Sequence, residues 1–325
     1  MSHVPKNKIT WQPTATLAIL QHRAKILNKI RCFFAEREVL EVETPLLASA
    51  TVTDPHIESI PTVFQSSGEA KPIRYYLQTS PEYAMKRLLA VGSGSIYQIT
   101  KAFRQGEVGR LHNPEFTLLE WYRVGFDHHQ LMDEMDELLQ TLLKTKKAER
   151  VTVRDIFQHY TGLDPHSVTA LDLKKFLENQ KFAIAFDDDF HTLYDLVFSH
   201  FIEPYLGLSQ PLFLYDYPIH QAALAKIRMA ENPPVASRFE VYIAGLEIAN
   251  GFHELQNAEE QKQRFDRDLK IRAALKKNNV PIDQRFLASL QQGLPACAGV
   301  ALGLDRLMMV ATGVNNISAV LSFAW

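Results

Sequence analysis

A chain of 325 residues, 46% hydrophobic and 22% charged, has the composition of a soluble globular protein. Its net charge of −2 advertises no basic surface for a nucleic acid, and two cysteines, Cys32 and Cys297, offer neither a disulfide framework nor a metal set. Both read as small buried hydrophobes in a reducing compartment. The N-terminal MSHVPKNKITWQP lacks an apolar signal core, and no apolar run approaches a membrane span, so the expected location is the cytoplasm.

In chain order, Leu20, Ala24, Leu27, Ile30 and Phe34 recur at spacings of three and four, which predicts an amphipathic helix over 17–37. Residues 39–44 alternate and stop at Pro45, which predicts a strand. Ser80-Pro81-Glu82 reads as a helix start, with Ser80 as N-cap and Pro81 at the first helical position; Met85, Leu88 and Leu89 then face the core. Two strands are predicted over 96–104 and 115–123, joined by a loop rich in charge, Gly and His. Residues 128–144 predict a helix with one polar face. Residues 150–235 are the least readable stretch, with mixed helices, short strands and an acidic turn at Asp187-Asp188-Asp189; it is expected to be an insertion within one domain spanning 1–325. Strands over 239–243 and 246–248 form a hairpin around Ala244-Gly245. A charged helix over 257–277 and a helix from about Leu304, preceded by Gly303, complete the chain. No internal repeat or low-complexity segment interrupts it.

The segment YQITKAFRQGEVGRLHNPEFTLLEWYR, residues 97–123, is the most informative. In its second strand Phe116, Leu118, Glu120 and Tyr122 share one face, because strand side chains alternate. Phe116 and Glu120 are separated by roughly 13 Å at about 3.3 Å per residue. An aromatic plate thus stands at one end, and a carboxylate with a phenol at the other. A carboxylate on an otherwise apolar strand face needs a partner. The arrangement suits a long ligand with a stackable ring at one end and a cationic group at the other.

This segment resembles motif 2 of the class II aminoacyl-tRNA synthetases, in the lysyl branch, of which HNPEFT followed by two apolar residues and Glu is the characteristic form. RCFFAEREVLEVETPLL, residues 31–47, resembles motif 1, with Pro45 at the dimer-interface position. GVALGLDRL, residues 299–307, resembles motif 3 and holds Arg306; RFEVYIAGLEIANGFHEL, residues 238–255, resembles the metal- and amino-acid-binding hairpin that precedes it. The forms TSPEYAMKRLL, EFTLLEWYR and CAGVALG are similar to those of the elongation factor P–(R)-β-lysine ligases, free-standing relatives of lysyl-tRNA synthetase. Motif 1 begins near residue 24, which leaves no room for the N-terminal OB-fold that grips an anticodon. The implied fold is α+β: a class II catalytic core, with a mainly antiparallel sheet flanked by helices, forming a homodimer.

The resemblance implies site roles, each checked against what the residue can do. Adenylate formation brings a carboxylate onto the α-phosphate of ATP, so the site must supply positive charge and positioning. Arg104 stands where motif 2 arginines bridge the two anions, work that suits a planar guanidinium. Phe116 is implied to stack on one adenine face and Arg306 on the other, with Gly303 letting backbone approach. His112 and Asn113 are implied to reach the phosphates or the adenine edge, and Gln105, Gly106 and Ile248 complete the ATP set. Glu240 and Glu247 are candidate Mg²⁺ ligands. A two-residue hairpin loop places Tyr242 opposite Glu247 and Glu240 diagonal to it, about 7–8 Å apart at the backbone. Ser80, Pro81, Glu82, Asn250, Phe252 and Ala301 are implied to line the amino-acid pocket. Glu82 is implied to take the α-amino group, and Glu120, Tyr122 and Glu254 the ε-ammonium. Converging carboxylates imply a cationic ligand on physical grounds as well, since unpaired they repel. Strict alternation sets Asn250, Phe252 and Glu254 on the face opposite Glu247; one common site requires a bulge near 249–251, which Gly251 permits.

Two departures from the family pattern stand out. Motif 2 arginines are usually followed two residues on by Glu, and here that position is Gly106, with Glu107 next. Ala301 occupies a position that is Gly in lysyl-tRNA synthetases, and Ser80 one that is usually Ala. These two are expected to favour an amino group on the β rather than the α carbon. The leading expectation is a ligase that passes (R)-β-lysine to elongation factor P rather than to tRNA. The alternatives are a lysyl-tRNA synthetase core and a non-catalytic lysine-binding regulator; intact Arg104, Phe116, Glu240, Glu247 and Arg306 speak against the last.

Overall fold

Thr16 caps the first helix, α1 (Leu17–Ala35), which buries Ile26, Ile30, Phe33 and Phe34. Its last predicted residues leave the helix because Glu38 turns to a positive φ of 53°. A computed structural model describes residues 11–65, 72–182 and 189–325. Asp187 and Asp188 of the predicted acidic turn, and residues 1–10, lie outside these; Asp189 is a helix N-cap.

The strand expected over 39–44 shrinks to β1 (Leu40–Glu41), with one further ladder bond from Val42 N–H to Tyr97 O. A small antiparallel sheet follows, of β2 (Leu47–Ala48), β3 (Pro61–Phe64) and β4 (Ile73–Leu77), which the sequence pattern did not show. Helix α2 (Glu82–Ala90) starts one residue later than expected. Pro81 is the N-cap, and Ser80 Oγ accepts from Glu82 N–H at 3.1 Å while also donating to Glu120.

Strands β5 (Ile96–Phe103) and β6 (Glu115–Val124) form the antiparallel pair of motif 2. Helix α3 (His128–Leu143) opens with an Asp127/Gln130 capping box and ends at a left-handed Lys144. Then come β7 (Glu149–Thr152), α4 (Val153–Thr161), α5 (Ala170–Asn179), α6 (Phe190–Phe201), β8 (Leu212–Pro218) and β9 (Ile227–Arg228). The hairpin strands are longer than expected, β10 (Val235–Ile243) and β11 (Leu246–His253), because each is buried and paired on both sides. Helices α7 (Ala258–Ala274) and α8 (Gln284–Gly293) lead to β12 (Cys297–Gly303) and α9 (Leu304–Thr312).

The main sheet runs β1-β5-β6-β12-β11-β10-β8-β7, with β9 on the edge of β10. Only β1–β5 and β7–β8 are parallel among its described pairs. One face packs Leu119, Trp121, Phe239, Val241, Val300 and Leu302 against α1, α3 and α9. A second apolar cluster joins α4, α5 and α6 to β8, and a third joins α2 and α8 to the β5–β6–β12 end. Of the cysteines, Cys297 is buried as expected, but Cys32 is exposed, since it falls on the outer side of α1.

Candidate active site

The face of the sheet away from α1 and α3 collects the polar residues. The ladders align Gln98, Glu120, Ala301, Asn250 and Glu240 in one row across five strands. The adjacent row is Ile96, Tyr122, Gly299, Phe252 and Arg238. Glu120 and Glu240 lie three strands apart, about 14 Å at the usual strand spacing. The site therefore has two ends.

A bulge joins them on one face. Glu247 pairs with Tyr242, but Ala249 pairs with Val241, so Ile248 is the extra residue. The bulge comes one residue before the expected stretch, and it has the expected consequence. Glu247, Asn250 and Phe252 now oppose Tyr242, Glu240 and Arg238, which alternate on one face of β10. Gly251 faces the core instead, under the Phe239 ring; a Cβ there would meet that ring at 2.4 Å.

At the pocket end, Glu120 is 2% exposed. Its Oε1 accepts from Tyr122 Oη at 2.7 Å and its Oε2 from Ser80 Oγ at 2.8 Å. Burial, and then the negative charge of Glu82, push its carboxyl up to about 8. Glu254, just past the end of β11, is buried, and burial pushes it up to about 7 against the pull of Lys86. Tyr122 and Glu254 converge over Gly299: a Cβ there would come within 2.3 Å of the phenol ring and 2.6 Å of Glu254 Oε1. Glu82, from the first turn of α2, reaches the same group through Lys86, whose Nζ lies 2.5 Å from Glu82 Oε1 and 2.6 Å from Glu254 Oε2. Pro81 caps that helix beside Ser80. Sequence reasoning passed over Lys86, although its i,i+4 spacing from Glu82 was the available signal.

At the other end, Arg306 in the first turn of α9 donates to Glu247 O at 2.7 Å and to His112 Nε2 at 2.7 Å. Its guanidinium is also 3.8 Å from Glu247 Oε2. Burial and Arg306 lower the His112 imidazole, consistent with Nε2 acting as acceptor. Gly303 is the N-cap of α9, and a Cβ on it would meet nothing closer than Ile248 O at 3.8 Å. Arg104 lies over the Phe116 ring, 5.0 Å from its centroid, and 3.6 Å from Glu107 Oε1. Its Nε is buried without a hydrogen-bond partner. Gly106 holds a positive φ of 83° in open space, and Gln105 is fixed by its backbone N–H to Glu58 O at 2.8 Å. Thus Glu107, rather than a residue at position 106, is the carboxylate beside Arg104.

Two of the expected residues already have protein partners. Asn113 is buried with both polar ends committed: Nδ2 donates to Glu115 O at 2.7 Å, and Oδ1 accepts from Trp325 N–H at 3.0 Å. Glu240 is ion-paired with Arg238 through Oε1 and accepts from Tyr242 Oη through Oε2 at 2.5 Å. Arg238 was not singled out from sequence. It also donates to Asn250 Oδ1 at 3.3 Å and to Gln221 O at 2.7 Å, over the Tyr217 ring. Burial, and then the Glu240 charge, push Glu247 up to about 7. A cation beside Glu247 would favour its ionised form.

Residues 5–325 match the family model described as tRNA synthetases class II (D, K and N). The elongation factor P–(R)-β-lysine ligase of Vibrio cholerae serotype O1 is 52% identical over 315 residues, 96% of this chain and 97% of that one. The proteins of the same name from Vibrio vulnificus and Proteus mirabilis are 50% and 49% identical over the same shares. No helix among the described residues is long and apolar enough to cross a membrane. With its α+β sheet and its motif 2 hairpin, the chain belongs to the class II tRNA synthetase family, in the branch of the elongation factor P–(R)-β-lysine ligases.

Proposed function

We propose that this chain uses ATP to activate (R)-β-lysine as an adenylate and transfers it to a lysine side chain of elongation factor P. One observation carries the substrate class. Glu82, Glu120 and Glu254 gather at one end of the sheet face, two buried carboxylates and one half-buried, and the single ammonium of Lys86 leaves an excess of acid that suits a cationic ligand. The name shared by the relatives supplies the acceptor and the β isomer.

In the first step a carboxylate oxygen of the amino acid attacks the α-phosphorus of ATP, a P–O bond forms, and pyrophosphate leaves. Arg104 has a buried Nε free of protein partners, so it can bind both anions and hold them in line. Phe116 and Arg306 hold the adenine between a ring and a guanidinium. In the second step an unprotonated amine of the acceptor attacks the carbonyl, the amide forms, and AMP leaves. Ser80 and Tyr122 orient Glu120, and Asn250, Phe252 and Ala301 shape the wall where the β-amino group enters. Substrate ammonium groups favour the ionised carboxylates, so binding displaces the protons that burial places on Glu120 and Glu254.

The carboxylate pair Glu240 and Glu247 fits Mg²⁺, since each carboxylate keeps unused lone pairs and a cation would favour the ionised form of Glu247. Bound there, Mg²⁺ would supply neutralising charge to the phosphate oxygens. We read the chain as one catalytic unit in the cytoplasm, with 150–235 as an insertion. We further read it as a homodimer through α1 and the Pro45 segment, where Leu17, Leu40, Leu46 and Leu47 are exposed.

The test is ATP–pyrophosphate exchange. Exchange that depends on (R)-β-lysine is expected; no exchange with any lysine-like amino acid would remove the reading.

A further inference from the structure

Lys86 sits one turn beyond Glu82 on α2 and is 1% exposed. Its Nζ bridges Glu82 Oε1 at 2.5 Å and Glu254 Oε2 at 2.6 Å, tying a helix carboxylate to a strand carboxylate. The groups facing it from other elements bring no second positive charge. They are Glu120 and Tyr122 on β6, the Cys297 thiol on β12, and the Phe286 ring on α8, 5.7 Å from Nζ. Lys86 is the principal positive charge acting on Glu120 and Glu254.

An ammonium so deeply buried keeps its charge only when carboxylates surround it. Burial opposes its charge, but Glu254 and Glu82 outweigh burial and raise its proton affinity. The reverse also holds. Without Lys86 the three carboxylates would repel one another and the buried Glu120 and Glu254 would hold their protons more tightly, and a protonated carboxyl makes a poor partner for an ammonium.

We propose that Lys86 is a positioning residue whose resident ammonium holds Glu82 and Glu254 in place and sets the pocket's charge. Once substrate ammonium groups have displaced the protons on Glu120 and Glu254, three carboxylates less one ammonium leave two negative charges, which match the two ammonium groups of a lysine-like substrate. Lys86 thereby selects diamino acids over monoamino acids and lowers the pH at which Glu120 and Glu254 ionise. This inference rests on the reading that Glu82, Glu120 and Glu254 hold the substrate.

The experiment measures KM for (R)-β-lysine and for ATP, and kcat/KM against pH, in Lys86→Met, Lys86→Arg and Glu120→Gln. In Lys86→Met, the KM for (R)-β-lysine at pH 7 is expected to rise at least about tenfold while that for ATP stays within about twofold. The acid limb should move up by about 1–3 pH units, the effect of an opposite charge at this range. Lys86→Arg should keep the limb where it is. A Lys86→Met enzyme that binds ATP normally with an unmoved limb overturns the inference. If Lys86→Met fails to bind ATP because it does not fold, Lys86→Arg decides: an unmoved limb supports the charge role, and a displaced limb contradicts it. A Glu120→Gln enzyme with unchanged KM for (R)-β-lysine would instead overturn the pocket reading on which the inference stands.

Discussion

In the proposed reaction Arg104 binds the reacting anions and Arg306 the adenine. Replacing either with Ala is expected to lower ATP–pyrophosphate exchange by about 10²–10³, the effect of removing one charge-stabilising donor. Circular dichroism should be unchanged, because neither side chain packs in an apolar cluster. Exchange within threefold of wild type in Arg104→Ala would refute its role. Glu120 carries a pH signature. The unfolded chain releases this proton near the usual 4.5, and the folded protein near 8. Between those values the folded state binds more protons, so this group's contribution to stability falls as pH rises. The melting temperature of Glu120→Gln relative to wild type should therefore climb from pH 5 to pH 8. A flat or falling difference would contradict the assignment.

Ala301 stands in the row between Glu120 and Asn250. Ala301→Gly is expected to shift preference partly from (R)-β-lysine towards α-lysine, since one methyl is worth only about 1–3 kcal/mol of discrimination. Equal kcat/KM ratios in wild type and variant would remove this residue from the account. Glu120 was legible in the sequence because a carboxylate on an apolar strand face demands a partner. Lys86 and Arg238 were not, because a lone cation beside apolar residues reads as a solvated one. Asn113 is held by Trp325, a contact 212 residues away that leaves no local trace.

The β10–β11 hairpin shows what pattern gives at the scale of elements and what it withholds. The need for a bulge followed from the alternation of Glu247 against Asn250, Phe252 and Glu254, but its place at Ile248 depended on how the two strands pair. Strand β8 is buried along most of its length, and such strands carry no alternation to read. The strand after α1 shortened because only Leu40 and Glu41 find full ladder partners on β5. Two glycines test the assignment of faces. Gly299→Ala puts a methyl onto Tyr122 and Glu254, so it should weaken (R)-β-lysine binding at least about tenfold with ATP binding kept. Gly251→Ala presses on the core ring of Phe239 and should cost about 1–3 kcal/mol of stability instead. Exchanged effects in calorimetry of the two variants would mean that the faces are misassigned.

The whole molecule places the Glu120 carboxylate and the Glu240–Glu247 pair on one sheet face, about 14 Å apart by strand count, the two ends proposed for the diammonium substrate and for ATP. Motif order and spacing made the β5–β6 hairpin and the β10–β11 hairpin legible, and the ladders bring residues of both into shared rows. The region 150–235 stayed opaque because its helices pack on their own apolar cluster around β8, with short segments and few repeating signals. The central claim is that the activated amino acid goes to a protein. The direct measurement incubates the enzyme with ATP, Mg²⁺ and (R)-β-lysine together with elongation factor P or tRNA, then weighs the protein and assays the tRNA. A mass gain of one β-lysyl unit on elongation factor P, with uncharged tRNA, is the expected result. Charged tRNA beside unmodified elongation factor P would contradict the account.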